Sequence, residues 1–222
     1  FVPFRINLPR TFLWATSLAG APLALLAWDR ELSRLDGGML IAWFCALMLL
    51  LHRTTGILVA EEVDGGDIKR RHPIAWLLGG LAAMTIGGEL LGNGLQSIVA
   101  RFGVSPTLLG NTAIAALTEA EEIGRVAVPA RRGRADMAAA NIGGTAIHFL
   151  TLNAGILAAV VPLPLDEATM RLHLPVAVLA PPVFCLVLIL RGGLGRGEGV
   201  FLSTLYVAYI AAAVTGVLGL VG

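Results

Sequence analysis

Charged side chains are scarce in this sequence: Asp, Glu, Lys and Arg together make up 14% of its 222 residues, against 56% hydrophobic residues. A soluble domain of this length cannot bury so much apolar surface, so the composition excludes an ordinary soluble protein and predicts a membrane protein. The formal net charge is only +1, which argues against nucleic acid as a partner.

Cysteine is equally rare, with two residues in the whole chain, Cys45 and Cys185. Both lie in apolar runs far apart in sequence and are interpreted as small buried hydrophobic residues, so they indicate no redox compartment. The sequence also lacks a Gly-rich phosphate loop, zinc-ligand spacing and a nucleophile triad, and we therefore expect neither an enzyme nor a bound cofactor. It begins at Phe1 without a signal-peptide pattern, and we expect it to be part of a longer protein.

Long apolar runs are what the sequence has in abundance, and a membrane-spanning helix needs about 20 such residues. Seven candidate spans follow one another, at 8–28, 37–52, 74–100, 107–129, 136–163, 173–190 and 199–220. The connections between them are short and polar, except for 53–73, whose glycines, acids and basic triplet predict a solvated linker between two halves. The chain is thus predicted to be an all-α integral membrane protein.

The basic residues predict how these spans are oriented. With seven spans, alternate connections lie on the same side of the membrane, and the Lys and Arg residues divide twelve against four. The richer side should be cytoplasmic. Its residues are Arg5, Arg10, Arg53, Lys69, Arg70, Arg71, Arg125, Arg131, Arg132, Arg134, Arg191 and Arg196, and those of the other side are Arg30, Arg34, Arg101 and Arg171.

Two pairs of segments resemble each other within the chain. "RINLPRTFLW" (5–14) is similar to "RLHLPVAVLA" (171–180), and "LSRLDGGML" (32–40) is similar to "LGRGEGVFL" (194–202). Each match opens a pair of spans, and the two pairs enter the membrane from opposite sides, which is typical of an inverted-repeat transporter. Chance similarity between apolar segments is the alternative. If the repeat is real, three further helices should precede the first pair, making seven helices present of an expected ten.

Acidic residues inside a predicted span indicate a functional site. Thr118, Glu119 and Glu122 are spaced i, i+1 and i+4 on the span 107–129, so they share one helix face near the middle of the membrane. A bare carboxylate there is costly and should face protein, water or an ion. Glu121 points elsewhere and is interpreted as an intrahelical partner of Arg125.

The next span carries a complementary polar face. Asn141, Thr145 and His148 recur at i, i+4 and i+7 and should reach the depth of Glu119 and Glu122. Carboxylate, hydroxyl and amide oxygens form a hard-ligand set suited to Na⁺, Ca²⁺ or Mg²⁺. His148 adds an imidazole nitrogen, although a lone histidine is more often a satisfied polar residue than a ligand. We predict a cation site from Thr118, Glu119, Glu122, Asn141, Thr145 and His148.

"GGELLGNGLQSIVARFGVS" (87–105), "ALTEAEEI" (116–123) and "AANIGGTAI" (139–147) resemble the second alpha-repeat of the sodium/calcium exchanger, or calcium:cation antiporter, family. The resemblance extends to "GRGEGVFLSTLYVAYI" (195–210), similar to the family's last helix and the loop before it, and covers nearly the whole chain as the family's fourth to tenth helices. It implies that Glu122 is the ion-binding glutamate and Thr118 the motif threonine.

The chain departs from this family pattern at several positions. Leu117 stands in place of the motif's glycine, Glu119 in place of its serine and Glu121 in place of its proline. In the second motif Thr145 replaces a serine, Ala146 an asparagine, and Phe149 stands where the family has another ligand. The site is thus expected to be more negative than the usual one, with an altered ion preference.

The resemblance implies a secondary cation antiporter that exchanges Ca²⁺ or a related cation for Na⁺ or H⁺ by alternating access. The alternative is a non-transporting membrane scaffold or sensor that keeps the fold with a degenerate site. Residues 1–52 would be the last two helices of the first inverted repeat, 53–73 a cytoplasmic linker, and 74–222 the second repeat of five helices. The expected partners are the lipid bilayer, inorganic cations and the missing N-terminal helices, in a bacterial inner membrane.

Overall fold

The computed structural model describes residues 4–55, 73–103, 109–110 and 120–217, which are helical over most of their length. Contacts between residues divide the chain into two compact units, one formed by 1–57 together with 116–222 and the other by 58–115.

The first predicted span is a broken helix. A two-residue strand, β1 (Phe4–Arg5), precedes α1 (Arg10–Leu18), α2 (Ala21–Leu26) and a 3₁₀ turn (Ala27–Asp29). Gly20 caps α2 and a proline lies in its first turn, so the helical hydrogen bonds are interrupted between α1 and α2. The predicted span 8–28 is therefore two short helices in succession rather than one continuous rod.

The next two helices bracket the predicted linker. After β2 (Glu31–Leu32), α3 runs over Arg34–Thr55 and so continues past the predicted end at residue 52. Residues 56–72, most of the predicted linker 53–73, lie outside the described residues. In the second unit, α4 (Pro73–Phe102) forms a continuous helix of 30 residues over the predicted span 74–100.

The segment that carries the predicted site forms a helical hairpin. α5 (Ala120–Arg131) ends in a tight turn with Gly133 at a φ of 77°, and the chain returns as α6 (Ala135–Ile147). A π-helical segment (His148–Asn153) and α7 (Ala154–Val160) continue α6. The predicted span 136–163 corresponds to this continuous run, whereas only the second part of 107–129 lies within the described residues.

The C-terminal pair of helices completes the first unit. β3 (Leu163–Pro164) and a π-helical turn (Thr169–His173) lead into α8 (Leu174–Arg191), which ends at Gly192 in the left-handed conformation. β4 (Gly193–Leu194) then precedes α9 (Arg196–Val217). These two helices cover 174–190 of the predicted span 173–190 and most of 199–220.

Five helical stretches in the described part of the chain are long and apolar enough to cross a membrane, judged by length and composition: Arg10–Asp29, Arg34–Thr54, Ala135–Val160, Thr169–Arg191 and Arg196–Thr215. Their outer faces are strongly apolar, since Trp28 is 87% exposed and Leu190 is 72% exposed. Exposed side chains of this kind suit a lipid environment.

The core lies around α1, which is surrounded by α3, α6 and α8. On one side, Phe12 and Ala15 of α1 pack with Leu47 of α3 and Ile147 of α6. On the other side, Leu13 packs with α8 through Phe184, Cys185 and Leu188 and with Ala139 of α6. The returning helix of the site hairpin, α6, therefore packs against α1 in the first half of the chain.

The turns before α3 and α9 have the same local structure at positions that differ by 162 in number. Arg30 and Gly192 both adopt the left-handed conformation, with φ of 67° and 66°. Downstream, the backbone N–H of Ser33 donates to Asp36 Oδ2 at 2.8 Å, and that of Gly195 donates to Glu198 Oε2 at 2.9 Å. Helices α3 and α9 begin at equivalent positions, Arg34 and Arg196.

The short strands connect these two turns reciprocally. β1 pairs antiparallel with β4, and β3 pairs antiparallel with β2. Directly after β1 the N–H of Ile6 donates to the Gly192 carbonyl at 3.2 Å, and directly after β3 the N–H of Leu165 donates to the Arg30 carbonyl at 2.8 Å. β1, which precedes α1, thus pairs with the turn between α8 and α9. In the same way β3, which precedes α8, pairs with the turn before α3.

Candidate cation site

The candidate site lies between α5 and α6, where Glu122 faces two polar residues of the returning helix. Thr145 Oγ1 donates to Glu122 Oε2 at 3.2 Å, and Asn141 Nδ2 donates to the same oxygen at 3.4 Å. Asn141 and Thr145 are one turn apart, so their side chains lie on one face of α6. The tight turn at Gly133 brings that face opposite Glu122.

The second oxygen of Glu122 has a positively charged neighbour. Arg125 NH1 lies 3.4 Å from Glu122 Oε1, three residues further along α5. The sequence interpretation paired Arg125 with Glu121, whose side chain lies outside what the structure describes, so that pair stays a prediction. The structure shows Glu122 as one partner of Arg125. The Glu122 side chain is 25% exposed, so these contacts are only partly screened by solvent.

The chemistry of this arrangement suits a hard cation. Glu122 offers two carboxylate oxygens, Thr145 a hydroxyl oxygen with free lone pairs, and Asn141 an amide oxygen that a rotation of the side chain would present. Carboxylate, hydroxyl and amide oxygens are the ligands that Ca²⁺ and Na⁺ take in proteins. Three side chains on two adjacent helices can therefore contribute to one ion.

Two of the six predicted site residues, Thr118 and Glu119, lie outside the described residues, and their part in the site stays a prediction. His148 begins the π-helical segment and is exposed; its ring lies edge-to-face with Phe44 and Phe149, each at a centroid distance of 6.1 Å. The structure therefore joins Glu122, Asn141 and Thr145 by hydrogen bonds and places the His148 ring against aromatic rings instead.

Within the ranges that the structure describes, no group of three or more His, Cys, Asp and Glu residues is arranged to hold a metal ion. One carboxylate with a hydroxyl and an amide is a sparse set for a divalent ion, which takes 6–8 oxygen ligands when it is Ca²⁺. Further oxygens would have to come from Thr118, Glu119, backbone carbonyls, water or other helices.

Sequence reasoning missed Arg125 as a neighbour of the site. The signal was present, because Glu122 and Arg125 are spaced i and i+3 and such pairs meet on a helix surface. It was ambiguous, because Glu121 stands at the equally suitable i, i+4 spacing. The structure shows the contact with Glu122, and the pair with Glu121 stays a prediction.

Two curated proteins resemble this chain. The chain is 27% identical to the inner membrane protein YrbG of Escherichia coli strain K12, over 93% of this chain and 66% of that protein. It is 30% identical to the putative antiporter CaxA of Alkalimonas amylolytica, over 82% of this chain and 60% of that protein. The chain thus spans less than two thirds of the length of these curated relatives, and no solved structure matches it significantly.

A family model described as "Sodium/calcium exchanger protein" matches residues 72–215. The match covers more than half of the chain and includes α5 and α6, which carry Glu122, Asn141 and Thr145. It also agrees with the several apolar helices long enough to cross a membrane. The chain is a multi-pass integral membrane protein and belongs to the sodium/calcium exchanger family.

Proposed function

We propose that the complete protein is a secondary cation antiporter that exchanges Ca²⁺, or a related cation, for Na⁺ or H⁺. The observation that carries this proposal is the junction of α5 and α6, where Glu122 Oε2 meets Thr145 and Asn141. Membership of the sodium/calcium exchanger family and the likeness to a putative antiporter support it, since this is a family of transporters rather than enzymes.

The mechanism follows from the cost of a buried negative charge. A carboxylate inside a membrane protein is stable only with a cation, a proton or a fixed positive group beside it. If the site changes its accessible side only when a cation is bound between Glu122, Thr145 and Asn141, a cation must enter before another can leave, and the two fluxes are coupled. Glu122 would be the charged ligand, Thr145 and Asn141 would add neutral oxygens, and Thr118 and Glu119 are proposed to complete the set.

We also propose that the chain holds an inverted repeat, in which the pair 8–52 corresponds to the pair 173–220. The matching turns at Arg30 and Gly192, and the reciprocal pairing of the strands, support this relation. Inverted repeats place ion sites at their interface and let one repeat rock against the other. The proposed domains are then 1–52 and 74–222, joined by the linker 53–73.

The repeat accounts for the exposed surface of α9. Its counterpart α3 packs along α7 at a crossing where Gly37 and Gly155 meet, whereas α9 packs mainly against α8 and β4. Only 6% of the apolar stretch of α9 is buried, against 22% of the apolar stretch of α3. We propose that N-terminal helices of the same protein, equivalent to α6 and α7, cover α9 in the inner membrane, the location named for the Escherichia coli relative.

The first prediction concerns Glu122 in the complete protein, reconstituted in proteoliposomes. Glu122→Gln removes the negative charge while keeping the side chain's size, and we expect Ca²⁺-dependent exchange to fall at least about a hundredfold, the scale of losing a hydrogen-bonded charge. Glu167→Gln is the matched control, because Glu167 is 57% exposed and pairs with Arg171 outside the site. That variant should transport like the wild type.

Unchanged flux in Glu122→Gln would show that the site is wrongly assigned. The alternative of a non-transporting scaffold makes a different prediction, namely no flux of any cation in the wild type. The comparisons give no support to that alternative. The assay therefore separates a wrong site from a wrong function.

A further inference from the structure

Each described group that contacts the Glu122 carboxylate is a hydrogen-bond donor. Thr145 and Asn141 donate to Oε2, and the guanidinium of Arg125 lies against Oε1. A metal cation needs oxygen lone pairs, which donors occupy. We propose that Arg125 is a tethered counter-cation of this site, which neutralises Glu122 when no ion is bound and withdraws when a cation enters; the inference rests on the proposed antiport function.

The position of Arg125 along α5 favours a negatively charged neighbour. Arg125 lies six residues before Arg131, the end of α5, which corresponds to about 9 Å along the helix axis. At that depth an arginine without a partner is as costly as a bare carboxylate. The contact with Glu122 therefore offsets part of the cost of the Arg125 charge at this depth, and an approaching cation or the membrane interface can take the place of either partner.

The Arg125 side chain can reach that interface. It is 52% exposed, and its long apolar stem allows the guanidinium to extend toward the turn that carries Arg131, Arg132 and Arg134. Two positions are thus available for the same charge: against Glu122, or extended toward the cytoplasmic end of α5. The ion pair spans 3.4 Å with one nitrogen contact, which is the geometry of a displaceable pair rather than of a bidentate clamp.

Competition for Glu122 is the functional consequence. An entering cation must displace a positive charge that is covalently attached beside the site, so the intrinsic affinity of the oxygens is higher than the affinity that is measured. Arg125 also fills the electrostatic role of the counter-ion when the site holds none. It would thereby set the concentration at which the proposed antiporter loads.

The test measures Ca²⁺ binding to the purified complete protein by isothermal titration calorimetry. Arg125→Gln removes the competitor, and we expect Ca²⁺ to bind at least about tenfold more tightly, the scale of coupling between groups in contact. Arg125→Lys keeps a tethered charge and should stay within about threefold of the wild type. Arg132→Gln is the matched control, since Arg132 is an exposed arginine in the turn after α5, and it should leave the affinity unchanged.

A double variant shows whether Arg125 acts through Glu122. In the Glu122→Gln background, Arg125→Gln should produce no further tightening, because the carboxylate for which it competes is absent. If Arg125 has only a structural role, Arg125→Gln should bind Ca²⁺ more weakly than the wild type or equally well. Equal affinity in Arg125→Gln and wild type, with Glu122→Gln still defective, would overturn the inference and leave the proposed function standing.

If the wild type itself does not bind Ca²⁺, both the inference about Arg125 and the proposed exchange of Ca²⁺ are overturned. If Arg125→Gln is too unstable to purify, Arg125→Met keeps the length of the stem and serves as the second variant. Added Ca²⁺ should then raise the unfolding temperature of either variant more than that of the wild type, because the metal takes the place of the guanidinium. No such stabilisation would overturn the inference.

Discussion

Thr145 is the residue through which α6 contacts the carboxylate most closely, at 3.2 Å from Glu122 Oε2. Thr145→Val keeps the shape of the side chain and removes the hydroxyl, which is both a donor to the carboxylate and a possible ligand oxygen. Because the variant removes one of the oxygens proposed to bind the ion, and an interaction of a polar group with a charge contributes about 1.5–3 kcal/mol, we expect the affinity for Ca²⁺ in the flux or binding assay to fall by about ten- to a hundredfold.

The conservative variant separates ligand chemistry from packing. Thr145→Ser retains the oxygen and loses only a methyl group, so it should keep most of the affinity. Similar defects in both variants would indicate that the threonine matters for packing against its neighbours rather than for its oxygen.

At the residue scale, the sequence anticipated more of the site's geometry than of its charge balance. Helical spacing placed Glu122, Asn141 and Thr145 at similar depths, and hydrogen bonds join them in the structure. Their role as ion ligands stays a prediction. Arg125 could not be placed, because two neighbouring glutamates stand at suitable spacing and a one-residue difference rotates a helix position by about 100°.

At the element scale, the crossing of α3 and α7 depends on glycine. A Cβ atom added at Gly37 would lie 2.6 Å from the Gly155 carbonyl oxygen, and it would also overlap the backbone nitrogen of Ala159. These neighbours are backbone atoms, so they cannot move aside as a flexible side chain would. Gly37→Ala should therefore push the helices apart and lower the free energy of unfolding by about 1–3 kcal/mol.

The adjacent glycine provides the control for this prediction. A Cβ atom at Gly38 meets nothing within 4 Å, so Gly38→Ala should leave stability unchanged or raise it slightly, because alanine is the better helix former. Thermal unfolding of the two variants in detergent measures the difference. Equal melting temperatures would contradict a close backbone contact at this crossing.

Helix positions follow from the sequence, while their interruptions do not follow as readily. Apolar runs located the helices because a spanning segment must satisfy its backbone groups internally. The break at Gly20 has a local signal, a glycine with a proline two residues later. The π-helical segment His148–Asn153 has no comparable signal, because one inserted residue is accommodated by packing of the neighbouring helices.

At the scale of the whole molecule, the proposed inverted repeat predicts opposite locations for equivalent residues. Leu35 and Gly197 occupy corresponding positions at the beginnings of α3 and α9, and both are exposed. In a background without Cys45 and Cys185, Leu35→Cys should react with a membrane-impermeant maleimide from the outside. Gly197→Cys should react from the cytoplasmic side, where the positive-inside rule places the neighbouring arginines.

Labelling of both cysteines from the same side would contradict the inverted repeat. Labelling of the two from opposite sides, but with inside and outside exchanged, would preserve the repeat and correct the orientation. The experiment thus tests the symmetry and the charge rule separately.

The sequence by itself determined the class of the protein and the location of most of its helices. Apolar composition and run length are local properties, and the thickness of the bilayer sets how long an apolar run must be to span it. It also brought the likeness to the exchanger family, which the family match confirms. The tertiary structure alone decided which side chains meet across α5 and α6, that Arg125 lies beside Glu122, and that strands connect the two helix pairs reciprocally. These features depend on how the helices are rotated and how far apart they lie. Side-chain packing sets both, and the order of residues in the sequence does not state them.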